Sequence, residues 1–422
     1  MLPRRRALAA LLAPALPAVA RPAAAAAPRQ RLVVAAFPLL DEIVRQSLPQ
    51  WRRWHPEVEV EVVTRQYVDH HTAMTTALST STYLPDVMAL EVSFVGRFAQ
   101  GTGLEDLRRE PFGIERHRPR WVPSAYDQAT NAVGAVIAAP ADIGPGTMLL
   151  RTDLWARAGI EEAELTRSWD SYIAAGRRLK AATGAYLVAH AQAVKDIVMR
   201  TDLRAGEGLY FDRDSRPLVN SPRFERAFEV ALAIRRAGLD ARVATWSNEW
   251  AEGLKRGTLA TELGGAWLVG QLNKWVAPDT AGRWRAAQFP QHTFASYGGA
   301  FYAIPRRSDA ARKALAWDFL RLMTLTREVQ AAAFRDYDAF PSLLETHDDP
   351  FFEEPLPFLG GQRARTLWRE AARRIPPLPV HKQSGFADEV VGTELDNVLE
   401  RGKSIRQSLA DAERLLARRA RR

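Results

Sequence analysis

Residues 32–90 switch between two hydrophobic periods in an order that few architectures accommodate. The run 32–37 is apolar throughout, with Leu32, Val33, Val34, Ala35, Ala36 and Phe37 in succession, and Pro38 ends it. Such a run reads as a buried strand. From Asp41 onward Ile43, Val44, Ser47, Leu48, Trp51 and Trp54 recur near every 3.6 residues, so the spacing predicts a helix that stops at His55 and Pro56. Residues 58–63 then alternate Val with Glu, which leaves one face wet. The row of Glu suits an edge strand that resists pairing with a second chain. A second helix is expected over about 69–80 and a buried strand over 86–90. Strand, helix, strand, helix, strand at these spacings demands crossovers, and crossovers build a parallel sheet covered by helices.

The rest of the chain reads differently. Residues 131–139 form an apolar extended stretch or strand pair, and 140–146 hold two Gly and two Pro in seven residues, a backbone-turning device. A strand is expected over 147–150 and helices over 151–158, 168–183 and 221–237. A strand over 258–265 ends in Gly264-Gly265, with a helix starting at Trp267, and 296–305 is strand-like around Gly298-Gly299. An amphipathic helix covers 309–325, and a closing helix over 404–417 ends in basic residues, favourable at a helix C-terminus. Trp51, Trp54, Trp155 and Trp317 sit at helical spacing and are expected in the core. Trp246 and Trp250, four apart, suit a packed helix face more than a cleft wall.

With 422 residues the chain can build two or three cores. The absence of Cys excludes disulfides, Cys-ligated zinc, iron–sulfur clusters, thiol nucleophiles and a lipid-modified N-terminal Cys. Residues 1–27 read as an export signal: Arg4, Arg5 and Arg6 precede an Ala/Leu-rich stretch too short to span a bilayer, and small residues follow. The Arg5-Arg6 pair allows a twin-arginine route as well as the general secretory one. The net charge of +9 falls to +5 once the four Arg of that leader are set aside, and acids and bases interleave thereafter. That pattern lacks the basic stripe a nucleic-acid binder needs. No nucleophile elbow, His-Glu-x-x-His motif or phosphate loop is present. His70 and His71 are adjacent, so on a helix they diverge by ~100°, which argues against a metal pair.

Several stretches together resemble the extracellular solute-binding proteins of bacterial ABC transporters, in the carbohydrate-binding branch called family 1. They are the loop 37–42, the passage 54–58 from Trp54 to Val58, 84–87, 98–107, 146–160 followed by Ser168-Trp169-Asp170, 264–268, and 314–320. The resemblance implies an α/β fold of two lobes, each a mostly parallel sheet flanked by helices, with ligand in the cleft between them. On that basis residues 31–140 with 297–340 form the first lobe and 146–293 with 346–422 the second. Hinge crossings are expected at 141–145, 294–296 and 341–345. The Arg-, Phe- and Pro-rich stretch 345–374 carries no pattern that favours either lobe. The resemblance further implies a free, monomeric periplasmic protein that binds a sugar or sugar-like solute and delivers it to permease subunits in the inner membrane. It implies no cofactor, no metal and no catalysis.

A sugar offers polar edges to carboxylates, amides and Arg, and apolar faces to flat aromatic rings. In open α/β sheets ligands lie beyond the carboxyl ends of strands. That rule selects Phe37, Asp41 and Glu42 after the first strand, Gln66 and Tyr67 after the edge strand, and Glu91 and Ser93 after 86–90. It also selects Asp142 in the first crossing, Trp267 after Gly264-Gly265, Tyr297 and Gly298 after the second crossing, and Arg335 and Tyr337 before the third. Asp41 fits a helix N-cap as well as a ligand contact. Glu42, Glu91 and Asp142 also suit surface pairing with the abundant Arg, and Tyr337 an ordinary buried site. The other reading is an exported carbohydrate hydrolase, which would recruit Glu91 and Asp142 as paired carboxylates.

Overall fold

The computed structural model describes residues 30–99, 101–131 and 133–420; the expected export signal at 1–27 lies outside them. Among the described residues eight strands form two sheets: β1 (Gln30–Ala36), β2 (Val58–Thr64), β3 (Val87–Glu91), β4 (Ala139–Pro140), β5 (Gly146–Arg151), β6 (Thr261–Gly265), β7 (Trp284–Ala287) and β8 (Ala300–Ala303). The first sheet has the order β2-β1-β3-β8-β4, with β2 at its edge as the alternating Glu implies. β1 runs parallel to β2 and β3, and β8 runs antiparallel to β3 and β4.

The second sheet, β6-β5-β7, is antiparallel throughout, where a mostly parallel sheet was expected. The reason lies in the connections. β5 leaves the first crossing, whereas β6 returns toward it, with Gly265 opposite Gly146, and β7 leads back to the second crossing. Both neighbours must run against β5. Parallel pairing survives only in the bridges Tyr186–Leu259 and Val188–Asp240, which extend the sheet beyond β6.

Each sheet has its own core, which gives two lobes. One core gathers Leu32, Val34, Met88, Leu90, Phe301 and Phe319. The other gathers Met148, Trp169, Tyr172, Phe224, Phe228 and residues of the last two helices, Ser384–Arg401 and Ile405–Ala420. A third cluster contains Ile143, Leu149, Trp250, Phe334, Phe340 and Trp368. Stretch 345–374 packs there through Phe351, Phe352, Phe358 and Trp368, and Gln362 exchanges two 2.8 Å hydrogen bonds with Ala286, which satisfies the open edge of β7.

Helix α1 (Leu40–Trp54) buries Leu40, Ile43, Val44, Ser47 and Trp51. Trp54 is 41% exposed, contrary to its expected place in the core. Three residues of helix turn it ~60° off the line of Trp51, on the last turn. Asp41 is not the cap: Leu39 holds that position at φ 77°, and the Asp41 carboxylate takes Arg45 at 2.5 Å and the Thr64 hydroxyl at 2.8 Å. Helix α2 (Tyr67–Thr80) begins two residues earlier than its period suggests and buries both His70 and His71. The expected strand at 296–305 shrinks to β8, because Gly298 and Gly299 adopt φ of 92° and 138° and bend the chain before it. Of 131–139 only Ala139 joins a strand, as the first residue of β4.

The segments 141–145, 294–296 and 341–345 meet near one another. Asp142 bridges Pro341 and Pro145 bridges Ser296. Ile143 donates to the Phe340 carbonyl at 2.9 Å, Tyr297 to Gly144 at 2.6 Å, and Gly146 to Ala295 at 2.8 Å. A Cβ on Gly144 would overlap the Tyr297 carbonyl, so only glycine allows this approach.

Candidate functional site

The carboxyl ends of β1 and β3 and the turn before β8 converge where the segments cross. β3 delivers Glu91, whose carboxylate accepts from the Tyr67 hydroxyl at 2.9 Å and from the Ser93 backbone at 2.8 Å. The Ser93 hydroxyl adds a third donor. Burial raises the Glu91 carboxyl above the usual carboxylate range, while these donors pull the other way. Burial also raises the Tyr67 phenol, with the negative Glu91 adding to it. Phe37 stands edge-on to Tyr67, ring centroids 5.5 Å apart.

A cavity of about 400 Å³ lies against this group. Glu91, Ser93, Tyr297 and Gly298 line it from the β3 end and the turn, and Arg200, Tyr210 and Asp388 line it from the second lobe. The Tyr210 hydroxyl donates to Asp388 at 2.6 Å. Buried Lys195 lies 2.5 Å from the Asp196 carboxylate and 3.7 Å from Asp388. Asp142 sits behind, in the first crossing, where its carboxylate accepts from Ala300 N at 2.9 Å. Burial pushes its pKa up to about 7, and the charge on Glu91 adds to the rise.

Trp267 is not among the cavity's lining residues. Its indole donates to the Tyr297 carbonyl at 2.7 Å, so it braces the turn that forms one wall. Its ring lies nearly parallel to Trp246, centroids 5.9 Å apart, and Trp246 is nearly parallel to Trp275 at 6.4 Å. Trp246 is 50% exposed, against the core position expected for it. Ser247 caps the helix Asn248–Arg256, which leaves Trp246 outside that helix with φ 71°, so the four-residue spacing to Trp250 does not describe a shared face. Ser247 followed by Asn248 and Glu249 is the cap signature that could have revealed this.

The other expected residues lie elsewhere. Gln66 is exposed at the N-terminus of α2. Asp41 and Glu42 stand near Tyr337, whose phenol is raised by burial and then by those two charges and Asp336. Arg335 pairs with Asp349 at 3.5 Å and lies over the Phe351 ring. Glu91, Ser93, Tyr297 and Gly298 therefore share the cavity; Asp142 and Trp267 lie behind them, and Tyr67, 39% exposed, and Phe37 flank Glu91. Arg200, Tyr210 and Asp388 had no strand-end position to mark them in the sequence.

The cavity offers oriented carboxylate acceptors, a guanidinium donor and phenol rings, which suits a neutral, hydroxyl-rich solute. A family model described as bacterial extracellular solute-binding protein matches residues 53–356. A lactose-binding protein of Rhizobium radiobacter is 25% identical over 391 residues, 85% of this chain and 87% of that protein. The solved structure of an extracellular solute-binding protein of family 1 superposes with a TM-score of 0.81 at 23% identity, covering 93% of this chain and 99% of the other. An ABC transporter associated binding protein of B. animalis subsp. lactis Bl-04, in complex with beta-1,6-galactobiose, superposes with a TM-score of 0.75 at 19% identity, covering 93% and 98%. These structural likenesses establish a shared two-lobed fold.

Proposed function

The chain belongs to the bacterial extracellular solute-binding protein family, and from that premise we propose that it is the substrate-binding component of an ABC importer. It takes a sugar or sugar-like solute between its lobes and hands it to a membrane permease without converting it. The observation that carries this reading is the cavity walled from both lobes, in which Tyr67 and Ser93 hold the Glu91 carboxylate ready to accept solute hydroxyls. Its 400 Å³ falls within the range of about 300–1,000 Å³ usual for small-molecule sites.

The lobes are residues 31–140 with 297–340 and 146–293 with 346–422, hinged at the three crossings. Solute contacts both lobes, so it favours the closed arrangement, and the short crossings absorb the rotation. The names of the relatives, lactose-binding and galactobiose-bound, favour a galactose-containing disaccharide as the first ligand to try. Export by the leader places the protein in the periplasm. No helix among the described residues is long and apolar enough to cross a membrane.

A thermal-shift screen of the mature chain against lactose, beta-1,6-galactobiose, monosaccharides, polyols and amino acids tests this. A ligand at 100 times its Kd stabilises by about 2.7 kcal/mol, which moves the midpoint visibly. A disaccharide hit recovered chemically unchanged is the expected result. Conversion of the sugar would favour hydrolysis at Glu91 and Asp142, and silence across all sugars would overturn the carbohydrate reading.

A further inference from the structure

His71 projects from α2 into the base of the Glu91 wall and is 1% exposed. Its Nδ1 lies 2.7 Å from the Tyr67 carbonyl, and its Nε2 lies 3.1 Å from the Glu91 backbone nitrogen. A carbonyl can only accept and a peptide N–H can only donate. These two contacts therefore select one form of the ring: neutral, with its proton on Nδ1. Nδ1–H donates to Tyr67, and Nε2 accepts from Glu91. Burial favours the same neutral form, lowering the ring's pKa to about 4.

The ring also lies flat on Phe94, centroids 3.9 Å apart at 11°, with Tyr67 at 4.9 Å and Phe37 at 5.3 Å. One imidazole thus touches the chain after β1, the first turn of α2, the end of β3 and the helix that follows. Its neighbour His70 shows the contrast. His70 Nε2 bonds the Ala89 carbonyl inside the sheet, and it touches neither backbone group of the Tyr67–Glu91 pair.

We infer that His71 is a positioning residue for solute recognition: by gripping the Tyr67 carbonyl and the Glu91 amide it sets the spacing at which the Tyr67 hydroxyl meets the Glu91 carboxylate. This rests on the reading of the cavity as the solute site. The logic is pre-organisation. A side chain held in its bound geometry before solute arrives has less freedom to lose on binding.

Two substitutions in the full mature chain separate this role from simple packing. His71→Phe keeps an aromatic ring on Phe94 and removes both hydrogen bonds. His71→Gln offers an amide oxygen near the Nε2 position and can again accept from Glu91. Amide hydrogen exchange at Glu91 and calorimetric lactose binding are the two readouts. His71→Phe is expected to speed Glu91 exchange and to weaken lactose binding, each about tenfold, the cost of one unmet buried donor. His71→Gln is expected to restore Glu91 protection and most of the affinity. Unchanged exchange and affinity in His71→Phe would overturn the inference. So would a folded His71→Gln with an unprotected Glu91 amide, which decides the matter even where His71→Phe does not fold. A parent chain that ignores lactose while its Glu91 amide follows the expected pattern overturns the lactose reading and leaves the His71 grip standing.

Discussion

Glu262 lies on β6, 5% exposed, and its surroundings set the outcome of Glu262→Gln. Its carboxylate accepts from the Trp250 indole at 2.9 Å, and no cation pairs with it among the described residues. Burial pushes its pKa from an ordinary 4.5 to about 7. A carboxyl whose folded value lies above its unfolded value takes up protons on folding. Stability is therefore lost as pH rises from about 4.5 through about 7, and the loss levels off above that. Converted at ~1.4 kcal/mol per tenfold, the full loss is about 3 kcal/mol above pH 8 and about 1 kcal/mol at pH 5. Glu262→Gln keeps the shape and the acceptor for Trp250 but cannot ionise. It should stabilise the protein by about 3 kcal/mol at pH 8 and by about 1 kcal/mol or less at pH 5. Urea unfolding followed by tryptophan fluorescence at the two pH values measures this difference. A gain that is equal at both pH values, or a loss at pH 8, would refute the claim that a buried charge sits there.

Trp267→Ala should weaken solute binding by about 1–3 kcal/mol in calorimetry without unfolding the chain, because the turn at Tyr297 loses its brace; an unaltered Kd would remove Trp267 from the site. Gly144→Ala should cost about 1–3 kcal/mol in urea unfolding, since its Cβ would force the first crossing away from the Tyr297 carbonyl, and a parental midpoint would refute that close approach. Small-angle scattering should show a smaller radius of gyration on solute addition; tight binding at constant radius would argue against lobe closure.

Period and punctuation made the parallel half of the first sheet legible, β2, β1 and β3, but not the antiparallel pairing of β8 and β4. Apolar runs marked β1 and β3, alternating Glu marked β2 as an edge, and Ser168 and Asp309 marked helix starts that the structure caps in that way. The direction of the second sheet was not legible, because it follows from where β6 and β7 must deliver the chain, which is a property of the connections and not of the strands. Of the residues that line the cavity, the strand-end rule selects Glu91, Ser93, Tyr297 and Gly298: Glu91 ends β3, Ser93 lies in the first turn of the helix that follows, and Tyr297 and Gly298 precede β8. Arg200, Tyr210 and Asp388 come from helix ends and loops of the second lobe, far apart in sequence, and only folding brings them together. The adjacency of His70 and His71 argues only against a metal pair and leaves His71 otherwise unmarked. Its hydrogen bonds go to backbone groups, which leave no trace in residue type.

Ala300 joins the wall of the candidate cavity to the segment 141–145. Ala300, the first residue of β8, pairs in register with Glu91 on one side, while its N–H enters the Asp142 carboxylate and its carbonyl accepts from Ala141 at 2.8 Å on the other. Val92 donates to Gly299 one step earlier. The strand that carries Ala300 beside Glu91 therefore has its next hydrogen bonds in the segment 141–145. The two carboxylates also sense each other, since the charge on Glu91 helps hold Asp142 near neutrality. The Glu91 wall of the cavity and the segment 141–145 are, in this arrangement, two ends of one short run of backbone.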